Sequence, residues 1–177
     1  MSLDLPLVRG HVDAAVALRE AVAPVALVRA GEADVILVDG AGFVLLDEVE
    51  ASPSGAPVLR RLSGDEAVRA AEGGTASFIG VAQGRSVVAI EVSRDEAWGR
   101  WEHLRAVGWQ LDGDDAALAL TALALAGWHA NYRFCPRCGA PVQLVSGGWA
   151  ARCEACDRLE YPRQDPAIIV LVEDHDG

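Results

Sequence analysis

Two short stretches decide how this chain is read: Phe134-Cys135-Pro136-Arg137-Cys138-Gly139 and, with fourteen residues between Cys138 and Cys153, Cys153-Glu154-Ala155-Cys156-Asp157. These are the chain's only four cysteines, and they form two CxxC pairs. A CxxC segment bends so that both sulfurs face one point. Two such knuckles supply the four-thiolate shell that zinc prefers in closed structural sites. The spacing therefore predicts one structural zinc per chain, held by Cys135, Cys138, Cys153 and Cys156. A closed shell leaves no coordination position for water, so this metal is expected to fold its segment rather than to catalyse.

Working outward, the disulfide alternative needs an oxidising compartment. The N-terminus Met1-Ser2-Leu3-Asp4-Leu5-Pro6 has no basic region followed by an apolar core, which reads as no secretory signal and a cytoplasmic protein. A redox CxxC normally stands alone after a strand of a βαβ unit, whereas here a second pair follows across the Gly-rich turn Ser146-Gly147-Gly148. The longest apolar run, residues 116–128, is too short to span a bilayer.

The chain has 177 residues and a formal net charge of −11. Every one of its fifteen cationic residues is arginine, and residues 1–130 carry ten of them against nineteen acids. Such a surface repels phosphate backbones, and residues 131–165, with five arginines against four acids, make too weak a patch for a stand-alone nucleic-acid clamp.

Upstream of the cysteines the pattern predicts an α+β fold: an N-terminal mixed α/β domain (1–110), a linking helix (111–130), a small zinc ribbon (131–164), and the first strand of a further domain (165–177). Residues 11–22 read as a helix that Pro24 ends. Residues 25–29, 34–39 and 42–49 read as strands of a meander, and 58–62 as another. Ser63 and Ser93 each open a capping-box pattern, predicting helices to Glu72 and to about Val107, the latter placing Trp98 and Trp101 on one face. Residues 77–82 and 86–92 flank Gln83-Gly84-Arg85 as a hairpin. Asp112-Gly113-Asp114-Asp115 places acids at the positive end of a long helix to Ala130. Pro166-Ala167-Ile168-Ile169-Val170-Leu171-Val172 reads as a fully apolar strand with no partner beyond it, hence as the start of a domain this chain does not contain.

The block Leu125-Ala126-Gly127-Trp128-His129, the two CxxC knuckles, Gly147-Gly148, and Tyr161-Pro162-Arg163-Gln164-Asp165-Pro166-Ala167-Ile168-Ile169-Val170-Leu171 resembles the NADH pyrophosphatase family of Nudix hydrolases. The resemblance is strong over residues 123–172. It departs at Tyr132, where many members carry histidine, a position that touches no zinc ligand.

The resemblance implies a three-part, homodimeric enzyme that cleaves NADH or NAD to a nicotinamide mononucleotide and AMP and removes NAD caps from RNA. In it, Nudix-box glutamates hold Mg²⁺ or Mn²⁺. It also implies that Tyr161 stacks on the adenine and that Ile169 lines the same pocket. No Arg-Glu-x-x-x-Glu-Glu core occurs in this sequence, so no catalytic residue is expected in this chain, and the chain alone is expected to be inactive. The strand-rich N-terminal region also fits a degenerate copy of the Nudix fold. An autonomous zinc-ribbon adaptor for protein or nucleic acid is the competing reading. Of the remaining candidates, His129 reads as structural, Trp149 as packing for the knuckles, and Arg163 as a partner for a phosphate, a carbonyl or Asp165.

Overall fold

The computed structural model describes residues 10–47, 55–163, 165 and 170, apart from the side chain of Glu96. The apolar 166–172 segment and Ile169 thus lie outside the described residues.

Five strands form one mixed sheet in the order β3-β4-β1-β2-β5: β1 (Ala33–Val38), β2 (Phe43–Leu46), β3 (Thr75–Ala82), β4 (Arg85–Glu91) and β5 (Arg100–His103). β1 and β4 pair in parallel, Ala33 opposite Ser86 through Val38 opposite Glu91. The other three pairings are antiparallel. Alternation along the strands divides the core between the two faces. Ile36, Val38, Val44, Leu46, Val87 and Ala89 point to α4 (Gly113–Asn131), which lays Ala116, Leu118, Ala119, Ala122 and Leu125 against them. Val35, Leu37, Leu45, Val88 and Ile90 point to α1 (Pro24–Ala30) and α2 (Gly64–Gly73). The result is a sheet between two helical layers, the α+β architecture expected.

Several local expectations are corrected. Pro24 opens a helix instead of ending one. Its missing N–H lies at a helix start, where no partner exists anyway, and Gly31 at φ 71° closes α1 by donating to the Leu27 and Val28 carbonyls. Residues 25–29 are therefore helical, not a strand. The 11–22 helix is reduced to a 3₁₀ turn at Val16–Leu18, because Asp13 exchanges two backbone hydrogen bonds with Val81 and ties the chain to β3.

The helix read from Ser93 is instead a 3₁₀ turn at Glu96–Trp98, then β5, then the short α3 (Leu104–Val107). Gly99 at φ 118° breaks the helical path, and the extended segment pairs with β2. Trp98 and Trp101 still pack on the same core, from different elements. Residues 58–62 form only isolated bridges, Leu59 to Leu46 and Leu62 to Val35, although both leucines are buried. Ser63 precedes α2 without capping it through its side chain.

Other expectations hold. The β3–β4 hairpin turns at Gln83 (φ 51°) and Gly84 (φ 77°), the pair of positive φ angles a two-residue hairpin turn needs. The α4 start is capped by Asp112, whose carboxylate accepts from the Asp115 N–H at 2.8 Å. Asp115 itself is buried. It accepts from the Leu59 N–H at 2.7 Å and meets the Arg61 guanidinium at 2.5 Å, fastening the 58–62 segment to α4. Burial pushes its carboxyl above the usual range, and Arg61 opposes that shift.

Candidate metal centre

The ribbon follows α4 directly. Its strands β6 (Val142–Val145), β7 (Ala150–Cys153) and β8 (Leu159–Glu160) form a three-stranded antiparallel sheet. The two knuckles repeat one geometry. The Gly139 N–H donates to the Cys135 carbonyl at 2.9 Å and the Cys135 N–H to the Ala140 carbonyl at 2.8 Å. In the second knuckle Asp157 donates to Cys153 at 3.1 Å and Cys153 to Arg158 at 2.9 Å. The residue after the second cysteine takes a left-handed turn in both, Gly139 at φ 74° and Asp157 at φ 57°. Glycine and aspartate tolerate that conformation better than most residues.

All four sulfurs lie within 4.8 Å of one another. Individual separations are 3.7 Å for Cys135–Cys156, 3.5 Å for Cys138–Cys153 and 3.7 Å for Cys138–Cys156. A regular tetrahedron with a metal–sulfur distance of about 2.3 Å has edges of about 3.75 Å, which these three separations match, so the cysteine cluster suits zinc. Two of the four thiols are shifted toward the thiolate form that binds metal. The Arg137 backbone N–H lowers Cys135, and the Cys156 backbone N–H lowers Cys153, to about 6. The Ala140 N–H favours the Cys138 thiolate too, but shared hydrogen bonds with the neighbouring sulfurs, Cys153 first, push that thiol up to about 12. Among the described residues this is the only convergence of three or more potential ligands.

The hairpin tip joins the ribbon to the sheet. Gly147 and Gly148 sit at φ 63° and 95°. A methyl group on Gly148 would lie 2.6 Å from the Ser77 Oγ, and one on Gly147 would lie 3.2 Å from the Phe78 Cβ. The Gly148 carbonyl is 2.8 Å from His129 Nε2, and Trp149 Nε1 donates to the Phe78 carbonyl at 2.6 Å. His129 therefore ties the end of α4 to the ribbon, the structural role expected. Burial holds its imidazole below the ordinary histidine range. Trp149, expected against the knuckles, docks the ribbon on β3 instead. Arg163 meets Asp165 at 3.2 Å.

Tyr161 is 58% exposed. With Trp149 and Pro162 it lines a cavity of about 510 Å³, whose other wall comes from Val16, Arg19 and Glu20. No local pattern signals that second wall, because residues 16–20 reach it only through the tertiary fold.

Residues 32–128 match the family described as the NADH pyrophosphatase-like rudimentary NUDIX domain, and residues 130–161 match the NADH pyrophosphatase zinc ribbon domain. Similar curated proteins include the NAD-capped RNA hydrolase NudC of Stutzerimonas stutzeri (strain A1501), 37% identical over 83 residues, 47% of this chain and 30% of that protein. The NAD-capped RNA hydrolase NudC of Pseudomonas fluorescens is 37% identical over 98 residues, 53% of this chain and 35% of that protein. The protein of the same name from Mycobacterium tuberculosis (strain ATCC 25618 / H37Rv) is 40% identical over 74 residues, 42% of this chain and 23% of that protein. The matched stretches thus span about a third or less of those relatives. With a rudimentary NUDIX domain covering more than half its length and a four-cysteine ribbon docked on that domain's edge, the chain belongs to the NADH pyrophosphatase-like family.

Proposed function

We propose that this chain is the non-catalytic part of an NAD(H) diphosphatase: a rudimentary NUDIX domain and a zinc ribbon that serve a separate hydrolytic Nudix domain. In that reading the complete, homodimeric enzyme cleaves NADH or NAD to nicotinamide mononucleotide and AMP and acts on NAD-capped RNA. The relatives' names support the substrate class. The observation that carries the division of labour is the acid inventory of the NUDIX-like domain.

Cleaving a diphosphate with Mg²⁺ or Mn²⁺ needs several carboxylates converging on one ion. Among the described residues no such carboxylate group converges, and Glu66 of α2 is paired with Arg60 at 2.9 Å. The divalent-metal chemistry is therefore assigned to the separate domain. The ribbon cysteines hold zinc, whose role is to fix the ribbon on β3. Tyr161, more than half exposed, stacks on a substrate base in this reading.

Three measurements test this. The zinc-loaded 177-residue chain, incubated with NADH and Mg²⁺ or Mn²⁺, is expected to release no mononucleotides above background. Sustained turnover by the isolated chain refutes the proposal. If the coding sequence beyond Gly177 specifies a Nudix box, the encoded polypeptide is expected to release nicotinamide mononucleotide and AMP. Elemental analysis is expected to find about one zinc per chain.

A further inference from the structure

The cavity beside Tyr161 has a second wall that the family match does not cover, since the matched residues begin at 32. We propose that Arg19, laid on the Trp149 ring, forms with Tyr161 a two-part site for a ribonucleoside 5′-monophosphate unit, the tyrosine taking the base and the arginine the phosphate. The proposal rests on the reading of Tyr161 as a base-stacking residue and adds the anion-recognising partner.

The geometry supports this in three ways. The Arg19 guanidinium carbon lies 3.4 Å from the Trp149 ring centroid, and two of its nitrogens, Nε and Nη2, donate to the Ala14 carbonyl at 3.3 and 3.2 Å. The head group is thus held flat and aimed, while its remaining N–H groups have no protein partner among the described residues. An arginine fixed on an aromatic face loses little freedom on binding an anion, and its planar fork suits phosphate oxygens.

Next, no described carboxylate neutralises the charge on Arg19. Arg60, Arg61, Arg85, Arg100, Arg152, Arg158 and Arg163 each meet a carboxylate. Arg19 is one of the described arginines that meet none, as are Arg69 and Arg94 over rings of their own, and it is the arginine that lines the cavity beside Tyr161. Burial also lowers its pKa, a sign that the guanidinium is partly dehydrated where it stands.

The third support is the chain path. Ala15 adopts φ 41° and ψ 47°, a left-handed conformation that disfavours alanine, and this turn sends Val16 and Arg19 to the same cavity. Val16, 65% exposed, and Tyr161 leave apolar surface open on either side. The volume, about 510 Å³, falls in the range of roughly 300–1,000 Å³ that small-ligand sites occupy. Glu20 also lines the cavity and opposes a dianion, so removing its charge should tighten binding.

Calorimetric titration of the zinc-loaded 177-residue chain tests the site, with AMP, nicotinamide mononucleotide, adenosine and inorganic phosphate as probes. Saturable binding of at least one mononucleotide is expected, with adenosine about tenfold weaker and phosphate alone not detectable. Binding of only one mononucleotide supports the site and identifies its base. Arg19→Met, which keeps an apolar stem on Trp149, is expected to weaken the mononucleotide about tenfold and leave adenosine unchanged. Tyr161→Ala should weaken both, and Glu20→Gln should tighten the mononucleotide only.

Persistence of the Trp149 indole N–H resonance in Arg19→Met shows that the ribbon is still docked. If neither mononucleotide binds, or if Arg19→Met binds like the parent chain, the proposal is overturned. The diphosphatase reading is scored separately by product release from a polypeptide that includes a Nudix domain. Either result can fail without the other.

Discussion

Adding one methyl group at two glycines should move stability in opposite directions, and the structure fixes both signs. At Gly148 the new Cβ would lie 2.6 Å from the buried Ser77 Oγ and 3.0 Å from its Cβ. The backbone sits at φ 95°, where an L side chain is strained by at least about 1 kcal/mol. The neighbour cannot swing away freely, because Ser77 lies on β3 under the hairpin tip and the Gly148 carbonyl is already engaged by His129. Overpacking of this kind adds about 1–3 kcal/mol, so Gly148→Ala should cost about 2–4 kcal/mol in all.

At Gly127, inside α4, nothing lies within 4 Å of the new methyl and no positive φ is involved. There the alanine removes a helix-interior glycine and should stabilise by about 0.5–1 kcal/mol. Urea unfolding of the zinc-loaded protein, followed by tryptophan fluorescence, measures both. A Gly148→Ala midpoint equal to or above the parent's, with an unchanged slope, refutes the claim that the hairpin tip is seated tightly on β3.

Asp115→Ala strands the buried Leu59 N–H and leaves Arg61 without its partner, so it should destabilise by about 2–4 kcal/mol, whereas Asp115→Asn keeps an acceptor and should lose less; thermal unfolding ranks the two. His129 is held below the usual histidine pKa by burial, so the unfolded chain binds the proton more readily; stability is full above about pH 6.5 and falls as the pH drops below it. His129→Gln removes that titration, and its urea midpoint should fall less than the parent's between pH 7.5 and 5. Chelating the zinc, or Cys153→Ser, should unfold the ribbon, since such ions supply an apparent 10–16 kcal/mol in zinc-finger peptides; loss of the Trp149 indole resonance while strand signals of β1 and β4 persist is the expected spectrum.

The ribbon was readable because its constraint is chemical: two cysteine pairs can meet one ion in few ways, and the fold of residues 133–160 follows from that. The helical layer over the sheet was readable at α4 and α2, where periodicity and flanking acids or glycines agree. What failed were the places where one residue type serves two roles. Pro24 stops a helix when it stands inside and starts one when it stands first, and only the Gly31 cap downstream separates the two. At residues 96–107, the tryptophan spacing matched a helix, but pairing with β2 and the glycine at 99 favoured an extended path. The Arg19 wall was invisible, because no local pattern tells that residue 19 will meet residue 149.

β3 is the outermost strand of its sheet, and its free margin is closed by two borrowed groups: the backbone of Asp13 against Val81, and the Trp149 indole on the Phe78 carbonyl. One of those closures belongs to the four-cysteine ribbon. A cell short of zinc would therefore lose more than a ribbon: each molecule would present a partly uncovered strand border able to recruit another, and scarcity of the ion would become a problem of clumping.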